Sequence, residues 1–143
     1  GGMVVASSDM FFGHRHNLIM PGLAANMSDG WETKRRRGPG HDWVIIKLGA
    51  RGIIERVEVD TSWFKGNFPE SCAIESCETA AELPADLSES NWREVLPQVK
   101  LQPHTRHYFE DEIIKTGPAT YVRFKIFPDG GVSRLRIYGR IRE

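Results

Sequence analysis

The chain has 143 residues, which is enough for one domain with a buried core. Its 40% hydrophobic and 27% charged residues are typical of a globular protein and argue against disorder. Because 19 basic residues balance 19 acidic ones, the overall positive charge of many nucleic-acid-binding proteins is absent. No apolar run is long enough for a transmembrane helix, and no secretory signal is visible.

The first residues indicate where the domain begins, and the two cysteines indicate its compartment. The glycines before Met3 are interpreted as a cloning remnant, so residues 1–3 are set apart and residues 4–143 are predicted to form one domain. Cys72 and Cys77 are too few to staple a scaffold, which predicts buried thiols in a reducing compartment. We therefore expect a cytoplasmic location, with the peroxisome as the alternative.

Frequent Gly and Pro residues divide the chain into short segments. Within these segments, apolar and polar residues alternate more than they recur with helical periodicity. In chain order, residues 42–49 predict a buried strand, a turn at residues 49–52 follows, and residues 53–60 predict a neighbouring strand. Ser71 to Cys77 is the next candidate strand. The sequence evidence for helix is thin and limited to a short helical turn around residues 86–96.

The alternation of apolar and polar residues is clearest towards the end of the chain. Residues 121–126 and 133–141 both show it, and the turn residues 128–131 between them favour a chain reversal. Many short strands at this spacing predict an all-β fold, an antiparallel jelly-roll sandwich of two sheets.

The densest polar segment, residues 28–43, contains four consecutive basic residues at 34–37. Neighbouring carboxylates or an anionic ligand would relieve their mutual repulsion, and Arg is suited to gripping a planar carboxylate. One interpretation is an anion-binding loop and the other is a solvated charged loop. In the first, groups available for proton transfer are Asp29, Glu32, His41 and Asp42.

A second polar cluster follows the strand that ends near Asp60. Asp60, Lys65 and Asn67 either contact a polar ligand or, for Asp60 and Asn67, bond to nearby backbone in turns. Both interpretations stay open at this point.

Two pairs of histidines have spacings that allow metal binding, His14 with His16 and His104 with His107. No Cys or carboxylate completes a recognised ligand pattern nearby. Surface histidines are therefore the preferred interpretation, and the cofactor is expected to be none or an unidentified divalent metal.

Several long blocks resemble allantoicase, the family of allantoate amidinohydrolases of purine catabolism. They occur in the family's order between about residues 7 and 141, and they are SSDMFFGHRHNLIMPG, DGWETKRRRGPGHDW, VEVDTSWFKGNFPESC, NWREVLPQVKLQPHTRHYFE and TYVRFKIFPDGGVSRLRIYGR. The chain has the length of one of the family's two tandem repeats and looks most like the second.

The resemblance implies a jelly-roll domain similar to galactose-binding modules and hydrolysis of allantoate to ureidoglycolate and urea. A partner repeat or self-association is implied, and neither nucleic acid nor membrane is expected as a partner. The alternative is a non-catalytic module that binds a small polar ligand or a partner chain.

Candidate site residues combine this substrate with the residue types present. The expected catalytic residues, which activate water or protonate the departing urea, are Glu32, His41 and Asp42. Trp31 is expected to wall the pocket. The remaining substrate-binding residues are expected to be Asp29, Arg35, Arg36, Arg37, Asp60 and Asn67.

Overall fold

The structure, a computed structural model, describes residues 1–80, 87 and 91–143, and most of their regular secondary structure is β-strand. Within them, two short 3-10 helices, Arg15–Ile19 and Met27–Asp29, lie between the first and second strands. The strands are β1 (Met3–Ser7), β2 (Trp31–Glu32), β3 (Asp42–Asp60), β4 (Ser71–Cys77), β5 (Arg93–Lys100), β6 (Arg106–Phe109), β7 (Ala119–Phe127), β8 (Gly131–Val132) and β9 (Arg134–Ile141). The all-β prediction is confirmed.

Strand β3 joins the two layers of the sandwich. In the first layer, its first half pairs antiparallel with β1 and β7. In the second layer, its second half pairs antiparallel with β6 and β9. The predicted turn at residues 49–52 is wrong, because the strand continues through it with a register shift between Lys47 and Gly52. Such an irregularity lets a strand bend from one layer into the other. Gly52 suits this bend, since a β-carbon there would lie 2.6 Å from the Arg140 carbonyl oxygen.

Strands β4 and β5 extend the first layer, and the hydrophobic core lies between the layers. The predicted alternation in β7 is confirmed, because Val122, Phe124 and Ile126 are all fully buried. In β9 the alternation predicts that Leu135 faces the core and that Arg134 faces away from it. Leu135 is buried as predicted, but Arg134 is buried as well.

The segment between β7 and β9 carries the chain from one layer to the other instead of closing a hairpin. Within it, β8 pairs with β2, and this two-residue ladder closes one end of the sandwich. Gly131 is needed here because a β-carbon would collide with the ring of Phe64. The reversal expected at residues 128–131 is thus a crossing between sheets.

Three further expectations concern the rest of the chain. The helical turn expected around residues 86–96 falls partly outside the described residues, and residues 93–96 belong to β5. Cys72 and Cys77 are buried and form no disulfide bond with a described residue, as predicted, and burial raises the pKa of Cys72 to about 12. None of the helices described is long and apolar enough to cross a lipid bilayer.

Candidate functional site

The basic run at residues 34–37 is fixed through its backbone by carboxylates from two distant loops. The Lys34 amide donates to Asp9 Oδ2 at 2.7 Å, and the Arg36 amide donates to Asp129 Oδ2 at 2.7 Å. Just before them, the Thr33 amide donates to the Gly130 carbonyl at 2.9 Å. These bonds bring negative charge to the run and hold it against the β2–β8 end of the sandwich.

The side chain of Arg36 folds back onto Asp42, which was expected to be catalytic. Arg36 Nη2 lies 2.8 Å from Asp42 Oδ1, and the Ser8 hydroxyl donates to the same oxygen at 2.9 Å. Because the Asp42 side chain is only 2% exposed, Arg36 serves first to compensate a buried charge. Asp42 therefore supports the loop instead of facing solvent.

A groove of about 370 Å³, which we call the arginine groove, runs beside this loop. It is lined by residues 34–39 together with Ser8, Asp9 and Asp42. The groove carries four cations against two carboxylates, one of which is buried. Arg35 and Arg37 are exposed, and neither forms an ion pair with a carboxylate of the described residues. Their guanidinium groups are available to a small anion.

Glu32 and Asn67 form a second polar pair at the same end of the sandwich. Glu32 follows inward-facing Trp31 in β2, and the Asn67 side-chain amide donates to Glu32 Oε2. Burial raises the pKa of Glu32, and the bond from Asn67 partly offsets this effect. A carboxyl group with a raised pKa is suited to holding and releasing a proton near neutral pH. Glu32 and Lys34 share the outward side of an extended segment, because Thr33 between them is buried.

His41 lies on the other side of Arg36, with its ring centroid 4.9 Å from that of Phe127. Burial lowers the pKa of His41, and the positive charges of Lys125, Arg36 and Arg123 lower it further. These effects favour the neutral form of the imidazole. It faces a separate hollow on the outside of the first layer and does not line the arginine groove.

The structure corrects the role expected of Trp31. Its side chain is fully buried, and its indole Nε1 donates to the Asp9 carbonyl at 2.8 Å. The physical reason is the pairing of Trp31 with buried Val132 in the β2–β8 ladder, which sends the ring into the core. Trp31 is a core residue and walls no surface pocket.

Asp60 and Asp29 lie apart from the arginine groove. Asp60 is buried, and its Oδ1 accepts from the Ser62 amide at 2.9 Å and from the Ser62 hydroxyl at 2.6 Å. Asp29 Oδ2 accepts from the Ala25 amide at 2.7 Å. Asp60 therefore bonds to nearby backbone, which was the alternative interpretation of this residue.

Three residues that shape the arginine groove from a distance were not predicted from the sequence. Ser8, Asp9 and Asp129 contact it, although 25 residues separate Asp9 from Lys34 and 93 separate Asp129 from Arg36. No local spacing encodes such contacts. One indication of these contacts was present in the sequence: four adjacent cations repel one another unless carboxylates lie nearby.

Both histidine pairs are engaged in local backbone contacts. His104 Nδ1 accepts from the Trp63 amide and His107 Nε2 from the Gln102 amide, both at 2.8 Å. His14 Nδ1 accepts from the amide two residues further on. Over the part of the chain that the structure describes, no group of three or more His, Cys, Asp or Glu side chains is placed to hold a metal ion.

Comparison with known families decides the relationship of this chain. The family model described as "Allantoicase repeat" matches residues 1–142. The chain belongs to the allantoicase family. This confirms the resemblance seen in the sequence blocks, and it accounts for the order in which they occur.

Relatives within the allantoicase family are considerably longer than this chain. It is 52% identical over 139 residues to allantoicase from Dictyostelium discoideum, covering 96% of this chain and 38% of that protein. It is 54% identical over 142 residues to a probable allantoicase from Pseudomonas aeruginosa (strain LESB58), covering 98% and 43%. The chain thus spans about two fifths of the length of these curated relatives.

Solved structures agree on the allantoicase fold. The crystal structure of allantoicase from Saccharomyces cerevisiae matches with a TM-score of 0.85 and 37% identity, covering 98% of this chain and 41% of that one. A carbohydrate-binding module, CBM32-3 from a family 31 glycoside hydrolase of Clostridium perfringens, matches with a TM-score of 0.72 at 12% identity, covering 97% and 91%. The second likeness shows the fold alone and confirms the predicted β-sandwich, of the kind shared with galactose-binding-like modules.

Proposed function

We propose that this allantoicase repeat binds allantoate in the arginine groove and takes part in its hydrolysis to ureidoglycolate and urea. The observation that supports this most is the geometry of the loop at residues 34–37. Its backbone is fixed by two carboxylates while Arg35 and Arg37 stay exposed. A small carboxylate bearing urea groups matches that arrangement of donors.

The proposed roles follow from which groups are free. Arg35 and Arg37 hold the substrate carboxylate, because Arg36 is already bound to Asp42. Asp9 lines the same groove, and its Oδ1 accepts from the ureido N–H groups while its Oδ2 holds the Lys34 amide.

Glu32 supplies the proton transfer in this proposal. Water forms a C–O bond to the central carbon of allantoate while the C–N bond to one ureido group breaks. Water loses one proton and the departing urea nitrogen gains one, so Glu32 returns to its starting state. Its raised pKa and its anchoring by Asn67 suit this task.

We further propose that the repeat works in a reducing, cytoplasmic environment beside a second repeat or a second copy. Two buried cysteines that form no disulfide bond with a described residue support the first point. The length of the relatives supports the second, because this chain covers only 38% and 43% of theirs.

A binding module without catalysis is the alternative function. The small share of each relative that the chain covers favours it, because a site that needs another repeat would bind substrate here without turning it over. Both functions use the arginine groove, so binding alone does not separate them.

Urea release from allantoate by the purified chain separates the two functions. We expect the chain to release urea above the uncatalysed rate. The assay is run with and without EDTA to show whether urea release needs a divalent metal. Binding of allantoate by calorimetry with no urea release, in both conditions, would instead establish the binding module.

A further inference from the structure

A second hollow lies on the outer face of the first layer, where strands β3 and β7 are neighbours. It has a volume of about 360 Å³. Trp43 and Lys125 face each other across the two strands, and alternation places Arg123 on the same outer face. The hollow's lining residues are Arg36, Gly40, His41, Trp43, Arg123 and Lys125.

Three cations converge on this hollow, and two of them share one carboxylate. Glu75 Oε1 lies 2.8 Å from Arg123 Nη2 and 3.3 Å from Lys125 Nζ. Glu75 is itself only 20% exposed, and these two cations lower its pKa despite the opposing effect of burial. The third cation, Arg36, is held by buried Asp42. Three positive charges therefore face two carboxylates, and one positive charge is left uncompensated by the carboxylates that the structure describes.

The cations are also ordered before any ligand arrives. The Arg123 guanidinium stacks on the Trp92 ring at 4.5 Å, and its side chain is 25% exposed. Arg36 Nε is buried and has no hydrogen-bond partner among the residues described. Fixed side chains lose little conformational entropy when an anion binds, which favours binding.

We propose that this hollow, which we call the outer anion pocket, binds a small oxyanion. Phosphate and short dicarboxylates share this chemistry. Arg123 and Lys125 contact the anion, a ring N–H of His41 donates to it, and the Trp43 ring forms a wall. Arg36 separates the outer anion pocket from the arginine groove, because its side chain lines both. This site is distinct from the allantoate site proposed above and does not depend on it.

Nuclear magnetic resonance of the indole N–H groups tests the site, because tryptophans lie both at it and away from it. Titration with inorganic phosphate is expected to shift the Trp43 signal and the His41 ring signals. Trp63, whose indole donates to the Ala24 carbonyl, serves as the internal reference and is expected not to move. A parallel titration with malonate shows whether phosphate or a dicarboxylate binds more tightly.

Lys125→Met is the decisive variant, because Glu75 keeps its contacts with Arg123 when Lys125 is lost. Phosphate affinity is expected to fall about tenfold, as one charge-assisted hydrogen bond is removed. Lys115→Met removes an equal charge from an exposed site outside the pocket and is expected to bind like the wild type.

Two results would overturn the outer anion pocket. One is a Trp43 signal that stays in place with both anions, and the other is equal affinity in the wild type and Lys125→Met. Neither bears on allantoate hydrolysis, which urea release judges separately.

Discussion

Replacing Trp31 with alanine is expected to lower the free energy of unfolding by about 3–5 kcal/mol, because a large core side chain is removed and a cavity is left. The ring is fully buried, and its centroid lies 6.4 Å from that of Phe124. Its indole bond to the Asp9 carbonyl would also be lost. Guanidinium-induced unfolding of the wild type and the variant measures the difference.

Trp63 provides the matched control, since it is the same residue type in a 40% exposed position. Trp63→Ala removes one indole hydrogen bond, to the Ala24 carbonyl, and is expected to cost about 1 kcal/mol. A Trp31→Ala variant that keeps wild-type stability but loses allantoate binding would contradict the core role. It would return Trp31 to the pocket wall that the sequence analysis expected.

Replacing Glu32 with glutamine is expected to lower the rate of urea release by about 10²–10⁴-fold, the usual contribution of a general acid–base group. Glutamine keeps the size of the side chain and still accepts a hydrogen bond from Asn67 through its carbonyl oxygen. It cannot take up and return a proton. The rate is measured from urea produced at saturating allantoate, alongside a check that the variant unfolds at the wild-type temperature.

Glu55→Gln is the control for this experiment. Glu55 also lies on a strand and is partly exposed, and its carboxylate is 2.9 Å from Arg140 Nε in the other part of the sandwich. Its loss is expected to leave urea release unchanged. Urea release at the wild-type rate by Glu32→Gln would contradict the proposed role of Glu32.

Features that depend on neighbouring residues were predictable from the sequence. The bounds of β4 match the predicted strand Ser71–Cys77, and the inward residues of β7 match the predicted alternation. Both follow from the two-residue period of a strand with one buried face. The basic run at residues 34–37 also stood out, because like charges in sequence are easily recognised.

Features that depend on distant contacts were not predictable. The bend of β3 at Gly52 looks like a turn locally, but pairing with β7 and β9 on either side keeps it extended. Asp129 reaches the basic run because β8 pairs with β2. Asp9 reaches it from the loop after β1, whose backbone is bonded to β2 at Glu32.

The predicted site was treated as one cluster because its residues are close in sequence. An extended chain sends alternate side chains to opposite sides, so Trp31 enters the core while Glu32 faces outward. The arginine groove and the hollow beside His41 likewise lie on the two sides of Arg36. Proximity in sequence identified the right region but not which residues act together.

Calorimetric titration of allantoate into the wild type and an Arg35→Met/Arg37→Met variant tests the proposed substrate site most directly. The variant is expected to bind about 100-fold more weakly, because two charge-assisted hydrogen bonds to the substrate carboxylate are lost. Arg142→Met, which removes an exposed charge near the end of the chain, is expected to bind like the wild type. Equal affinity in the double variant and the wild type would contradict binding of allantoate in the arginine groove.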